Sequence, residues 1–147
     1  MTGDGRCGEC GARDCTSLFH LLLALDHARA EPWGPLHGVS VSCFLLQHPG
    51  RLPGDGGAGA RAFLRAYLTG GLPAVERLIG RARRANSHRV TGGPPRSVTA
   101  APAAPRGGFA VTIEQVALDG TFPAAGFPER VRDWATATLA AWDGHAG

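Results

Sequence analysis

Lysine is absent from the sequence, so all fifteen basic residues are arginines. Complete replacement of lysine by arginine is typical of a GC-rich genome, so the arginines are not evidence of selection for phosphate binding. The formal net charge is only +3, whereas domains dedicated to nucleic acids usually carry a denser basic stripe. Charge therefore argues against nucleic acid as a partner.

Long apolar runs are also missing. The longest near the start, Leu21–Leu25, is far short of the ~20 residues that a membrane span needs. Met1–Arg13 is polar and glycine-rich, unlike a signal peptide. These absences predict a cytoplasmic protein without a membrane partner. In that compartment its four cysteines are expected to be thiols or metal ligands rather than disulfides.

A phosphate-binding glycine motif is absent too. The stretch Gly54–Gly59 lacks the lysine and the hydroxyl residue of a P-loop, which argues against ATP or NAD as a cofactor. At 147 residues the chain has the length of one domain, 1–147. Residues 91–108 are low in complexity and rich in glycine and proline, so we expect a flexible loop there. Nothing in the sequence indicates an oligomeric state.

Apolar spacing predicts a mainly α-helical fold of about five helices. The first begins at Cys15 and ends near Ala30, because prolines follow. The second element, Leu36–Gln47, fits either a helix or a strand, and we favour the helix. Gly70 and Gly71 separate the third helix from the fourth. The remaining elements are expected at 61–68, 73–85, 111–116 (a short strand or the start of a helix) and 127–142.

Cys7 and Cys10 form a C-x2-C pair, and the glycines at 8 and 11 give the flexible backbone that a tight metal-binding turn needs. The pair lies in a glycine-rich leader, without the preceding strand of a thioredoxin-like redox site. Cys15 follows at the predicted start of the first helix, where the helix dipole favours a thiolate. Three cysteines within nine residues predict a zinc ion; ordinary thiols and a redox switch are the alternatives.

The expected fourth zinc ligand is a histidine, and the chain geometry favours His48. A short proline-rich connection makes the first two helices antiparallel neighbours, so the end of the second returns to the start of the first, near Cys15. His20 is the main rival, because it lies only five residues after Cys15, whereas His37 lies at the far end of the helix pair. The alternative role for His48 is to cap helix carbonyls. Cys43 is expected in the core.

The same antiparallel arrangement brings a second group together at the opposite end of the helix pair. His27, with Asp26 beside it, ends the first helix, and His37 begins the second. Two imidazoles and a carboxylate suit general acid–base catalysis. Arg65 and Tyr67 on the third helix are expected to line the same pocket. The alternative is that these histidines are only solvated ends of helices.

The motifs occur in a distinctive order: Cys7–Gly11, Cys15, Trp33, His37, Val41 and Gln47–Pro49, then more loosely Trp134, Trp142 and His145. They resemble a bacterial family of small proteins of unknown function. The resemblance implies metal binding and a helical fold, but no reaction. Two positions depart from the family pattern. Cys43 stands where an aromatic residue is usual, and Arg65 where a histidine is frequent, so an activity that needs that histidine would be altered here.

Two functions from different classes fit this sequence. The first is an enzyme that acts on a small metabolite as a lyase, isomerase or hydrolase, with structural zinc and a pocket formed by Asp26, His27, His37 and Arg65. The second is a non-enzymatic, zinc-stabilised interaction or nucleic-acid-binding module. Its best feature is the arginine-rich run at 81–89, although such a run is usually a solvated helix face. We favour the enzyme.

Overall fold

The computed structural model describes residues 6–28, 30–52, 56–88, 104–105 and 108–146. Two single turns of 3₁₀ helix, Gly34–Leu36 and Pro49–Arg51, flank the second helix. Over the described ranges, isolated bridges are the only β structure, so the predicted mainly helical fold is confirmed. The helices are α1 (Cys15–His27), α2 (His37–Leu46), α3 (Ala58–His88), α4 (Ile113–Val116) and α5 (Phe127–Ala146).

Helices α1 and α2 run antiparallel, as their short connection predicted. At one end, Cys15 at the start of α1 and His48 just after α2 have side-chain ligand atoms within 4.8 Å of each other. At the other end, the rings of His27 and His37 lie 6.4 Å apart. α1 ends at His27, before the predicted end near Ala30. Each end of the pair therefore gathers its own set of polar side chains.

The C-terminal end of α2 is anchored to α5 and to the segment before α4. The indole N–H of Trp142 donates to the carbonyl of Leu46 at 2.8 Å. The side-chain amide of Gln47 donates to the carbonyl of Val111 at 2.8 Å and to the hydroxyl of Thr138 at 3.0 Å. Because these groups are buried, the bonds hold this part of the chain in one position. His48 directly follows Gln47, so these bonds also fix the position of its backbone.

The core lies between α2, α3 and α5, with α1 and α4 covering its sides. Each large side chain that is fully buried stabilises the fold by about 1.5–3 kcal/mol relative to exposure. The two tryptophans of α5 are both buried, which favours the core role expected from their spacing. None of the described helices combines the length and apolar composition needed to cross a bilayer. Core residues include Leu22, Val39, Cys43, Phe44, Leu46, Leu64, Tyr67, Phe127, Val131, Trp134, Leu139 and Trp142.

Helix α3 joins the two helices that were expected at 61–68 and 73–85. The predicted break appears instead as a kink at Gly71, whose backbone angles are φ 69° and ψ −163°. A helix can restart directly after this residue because Pro73 then lies in the first turn, where its missing N–H leaves no helical bond unmade. The prediction of two helices that meet at Gly70 and Gly71 is therefore confirmed, and the second helix follows the first without an intervening loop.

Helix α4 begins directly after its N-cap residue, Thr112. Thr112 accepts a hydrogen bond from the backbone N–H of Glu114 at 3.2 Å, and the side chain of Gln115 accepts one from the backbone N–H of Thr112 at 2.7 Å. This reciprocal pair is a capping box, which selects the helix over the strand for 111–116. The segment 91–108, expected to be a flexible loop, lies outside the described residues except at 104, 105 and 108.

The backbone conformation of Gly71 at the kink can be tested by substitution. The φ and ψ angles of Gly71 lie in a region that is essentially restricted to glycine. Gly71→Ala should therefore lower the free energy of unfolding by roughly 1–3 kcal/mol, measured by chemical denaturation. Gly144→Ala is the matched control, because Gly144 is helical and has open space around it. That change should stabilise the protein by up to about 1 kcal/mol; equal effects in the two variants would contradict the kink.

Candidate metal centre and histidine cluster

The leader, which is the described segment 6–14 before α1, folds back on itself to form a tight turn around the C-x2-C pair. The backbone N–H of Cys7 donates to the carbonyl of Ala12, and that of Gly11 donates to the carbonyl of Cys7, both at 2.9 Å. Gly11 has φ +82°, a left-handed conformation that costs glycine little. The turn therefore depends on a glycine directly after Cys10. It presents the side chains of Cys7 and Cys10 to the same point.

Backbone N–H groups also point at the sulfur atoms of this turn. The N–H of Glu9 donates to Sγ of Cys7, and the N–H of Ala12 donates to Sγ of Cys10, both at 3.4 Å. Donors of this kind stabilise the negative charge of a thiolate. These two bonds therefore favour the thiolate forms of Cys7 and Cys10.

Burial acts on these thiols in the opposite sense. Burial is the largest cause of the raised pKa of Cys10 and of Cys15, and the neighbouring thiols add to it. At Cys7, burial is outweighed by backbone hydrogen bonds from Cys10 and Glu9, which leave its pKa below the usual value. Three thiolates in one place repel one another, so their joint ionisation calls for a cation between them.

His48 completes the group from the other side. Its Nδ1 lies 2.7 Å from the carbonyl oxygen of Phe44, which makes Nδ1 the protonated nitrogen and Nε2 the one with a free lone pair. The residue is only 2 % exposed, and no described group bonds to the buried Nε2. Burial lowers the pKa of His48, so the imidazole stays neutral. A buried lone pair without a donor is the signature of a ligand atom.

The four side chains converge on a single position. The sulfur atoms of Cys7, Cys10 and Cys15 and a ring nitrogen of His48 all lie within 4.8 Å of one another. In a tetrahedral zinc site with Zn–S distances of about 2.3 Å, sulfur atoms lie roughly 3.8 Å apart. The residues present therefore fit one metal ion of this size, and the group can hold a metal ion.

The rival histidines lie elsewhere. His20 is exposed on α1 and does not belong to the group. His37 lies at the opposite end of the helix pair and bonds to Asp26. Cys43 is fully buried among core side chains, and burial raises the pKa of its thiol. Of the candidates considered for the fourth ligand, only His48 lies beside the three cysteines.

Two interactions that position this centre were not predicted from the sequence. The ring of Phe44 stacks on that of His48 at 4.0 Å, and Phe19 stacks on Phe44 at 3.8 Å. The carboxylate of Glu9 accepts the backbone N–H of Gly50 at 2.8 Å, which ties the leader to the turn after His48. The spacing of Phe44 and His48, four residues apart on a helix, was the one available signal.

At the opposite end of the helix pair lies the histidine cluster, which consists of Asp26, His27 and His37. Oδ2 of Asp26 and Nδ1 of His37 are 2.8 Å apart. The side chain of Asp26 is only 2 % exposed, whereas that of His37 is 47 % exposed. These three residues line a cavity of about 490 Å³ together with Gly34 and Pro35. A buried carboxylate that orients an exposed imidazole is an arrangement suited to proton transfer.

Asp26 is held in an unfavourable environment. Burial raises the pKa of its carboxyl group, and the hydrogen bond to His37 opposes that effect only in part. Its other oxygen, Oδ1, is buried without a described hydrogen-bond partner. A half-satisfied buried carboxylate costs stability.

The other residues expected in this pocket lie at different places. The guanidinium of Arg65 pairs with the carboxylate of Asp143 on α5, and both groups are about half exposed. Tyr67 is buried and lines a separate, smaller cavity. The structure therefore brings Asp26, His27 and His37 together and places Arg65 in an exposed ion pair.

A known family model matches most of the chain. The model of DUF5946, described as a family of unknown function, matches residues 5–143. The chain belongs to this family. No curated protein and no solved structure matches the chain. The matched range includes the candidate metal centre and the histidine cluster, so the expected membership of an uncharacterised Cys/His family is confirmed.

The environment of Asp26 predicts an effect on stability. Because its pKa is raised, the folded state binds the proton more tightly than the unfolded state, and ionisation at neutral pH weakens the fold. Asp26→Asn should leave the free energy of unfolding at pH 7 unchanged or raise it by up to about 1 kcal/mol. This gain should vanish as the pH falls below the ordinary aspartate range, because the carboxyl is then neutral in both states.

Denaturant unfolding at several pH values measures this difference. Asp133→Asn is the matched control, since Asp133 lies exposed on α5 and its replacement should change stability little at any pH. A loss of several kcal/mol in Asp26→Asn at pH 7 would show instead that the ionised carboxylate stabilises the fold.

Proposed function

We propose that this chain is a zinc protein in which Cys7, Cys10, Cys15 and His48 hold one structural ion. The observation that carries the proposal is the buried Nε2 of His48, which has no described hydrogen-bond partner and lies beside three sulfur atoms. Thiolate and imidazole donors in a set of four are the preferred environment of zinc. A donor set of four also leaves no position for a substrate, which favours a structural role over a catalytic one.

The stabilising effect of the ion follows from what it joins. Cys7 and Cys10 lie in the leader, Cys15 begins α1, and His48 follows α2. Among the described polar contacts, the bond from the backbone N–H of Gly50 to the carboxylate of Glu9 joins the leader to the turn after α2. Metal binding would therefore supply folding free energy to the whole base of the helix pair.

Metal analysis tests this proposal. The purified chain should contain about one zinc ion, and Cys10→Ser or His48→Ala should lose it with a fall in Tm of at least about 10 °C. His20→Ala and Cys43→Ser are matched controls, because neither side chain belongs to the group. Both should retain zinc, although Cys43→Ser can lower Tm through the core. Full zinc content in His48→Ala would reject the site.

We further propose that the protein is an enzyme that acts on a small molecule bound at the histidine cluster. The separation from the metal centre supports this, because the zinc is then free to be structural while acid–base chemistry occurs elsewhere. Asp26 accepts the proton of Nδ1 of His37, so Nε2 of His37 is the nitrogen that accepts a proton from a substrate. His27, whose ring lies 6.4 Å away, is placed to donate or accept a second proton.

The interaction-module alternative has weaker support. Arg77, Arg81 and Arg84 line a separate cavity of about 420 Å³ on α3, as nucleic-acid binding would require. Glu76 lies among them and reduces the positive charge of that surface. No aromatic side chain lines this cavity, so bases have no stacking surface there. The buried carboxylate at the histidine cluster is the more specific feature, and it favours the enzyme.

The reactivity of the imidazoles tests the acid–base proposal without a known substrate. Diethyl pyrocarbonate acylates neutral imidazole nitrogen, and mass spectrometry resolves the rate at each histidine. His37 should react faster than the exposed His20, because the bond from Nδ1–H to Asp26 keeps the reactive lone pair on Nε2. Asp26→Asn should slow His37 roughly 3- to 10-fold and leave His20 unchanged. Equal rates at both histidines in the unaltered protein would count against the proposal.

A further inference from the structure

A second cavity lies next to the histidine cluster and differs from it in character. Its volume is about 310 Å³, and its walls are mainly apolar. Leu36 and Tyr67 form buried parts of the wall, and Leu72 is half-buried. We call it the apolar cavity. Its lining residues are Glu31, Pro32, Pro35, Leu36, Tyr67, Leu72 and Pro128.

The two cavities share a wall at the connection between α1 and α2. Pro35 lines both of them. The next residue, Leu36, faces the apolar cavity, and the one after it, His37, faces the cavity of the histidine cluster. A single proline thus separates an imidazole that can transfer a proton from an apolar surface. Ligand sites commonly combine an apolar wall with a few polar groups in this way.

The charged side chains of the cavity walls further restrict the class of ligand that can bind. Among the described residues that line the two cavities, the only formally charged side chains at neutral pH are the carboxylates of Asp26 and Glu31, beside the imidazoles of His27 and His37. The chain contains fifteen arginines, yet none of these lining residues is an arginine. An anionic ligand would find no guanidinium among these lining residues and would be repelled by the two carboxylates.

We infer that the two cavities form one binding cleft for an uncharged or cationic small molecule with an apolar body and a proton-bearing polar head. The body occupies the apolar cavity, and the head lies beside His37. This inference rests on the proposed function, since it gives the ligand class of the same site. It also goes beyond that function, because binding of the apolar body does not require the imidazole to react.

A pair of fluorescent probes tests the ligand class on the full, zinc-loaded chain. N-phenyl-1-naphthylamine is apolar and uncharged, and 1-anilinonaphthalene-8-sulfonate is the same molecule with an added sulfonate. We expect saturable binding of the uncharged probe and at least about tenfold weaker binding of the sulfonate. Absence of saturable binding, or equal affinity for both probes, would overturn the inference.

Two variants on one helix locate the probe. Leu72→Glu places a carboxylate in the apolar cavity and should weaken binding of the uncharged probe at least about tenfold. Ile79→Glu is the matched control, because Ile79 lies on the same helix, is 36 % exposed and does not line the cavity. It should bind the probe like the unaltered protein. Equal affinities in the two variants would place the probe elsewhere and reject the cleft.

Shielding of His37 tests whether the cavities form one cleft, and it needs no variant. Saturating N-phenyl-1-naphthylamine should slow acylation of His37 several-fold and leave that of the exposed His20 unchanged. Unchanged acylation of His37 would refute the shared cleft. The two proposals fail in distinguishable ways. Probe binding with an unreactive His37 removes the acid–base function alone, whereas a reactive His37 without probe binding removes the ligand class alone.

Discussion

The hydrogen bond between Nδ1 of His48 and the carbonyl of Phe44 is the interaction on which the candidate metal centre depends. It joins an imidazole to the last turn of its own helix, so the ring cannot rotate without breaking a buried bond. It also decides which nitrogen keeps a lone pair, and that lone pair is buried beside three sulfur atoms. The stacked ring of Phe44 restricts the remaining motion. The centre is thus preorganised on the helix side.

The antiparallel helix pair separates two kinds of chemistry. One end gathers sulfur donors and a neutral, buried imidazole, and the other gathers an exposed imidazole and a buried carboxylate. The sulfur ligands that zinc prefers lie only at the first of these ends among the described residues. An imidazole that coordinates a metal ion there cannot at the same time accept a proton. At the metal end, two neighbouring residues, Gln47 and His48, have different roles. Gln47 fixes the end of α2 through Val111 and Thr138, so that His48 has a defined position.

Much of this arrangement could be predicted from the sequence, because it depends on local rules. The C-x2-C pair, the proline-rich connection and the apolar spacing predict a leader turn and two antiparallel helices, and hence which histidine returns to Cys15. The break between two helices at Gly70 and Gly71 was predicted, but propensity alone does not show that Pro73 lets the second helix follow without a gap. The pairing of Arg65 with Asp143 joins residues far apart in the chain, and no periodic pattern reports such a contact.

The burial of Asp26 could not be predicted from the sequence, and it bears most directly on function. An aspartate in the last turn of a helix is ordinarily exposed, where water stabilises its charge. Here its carboxylate is nearly inaccessible, one oxygen has no described partner, and burial raises its pKa. A residue that only supported the fold would be better satisfied. Its one described bond, to an imidazole that remains half exposed on the wall of a cavity, supports the proposed proton transfer, because a desolvated carboxylate interacts more strongly with the ring that it orients.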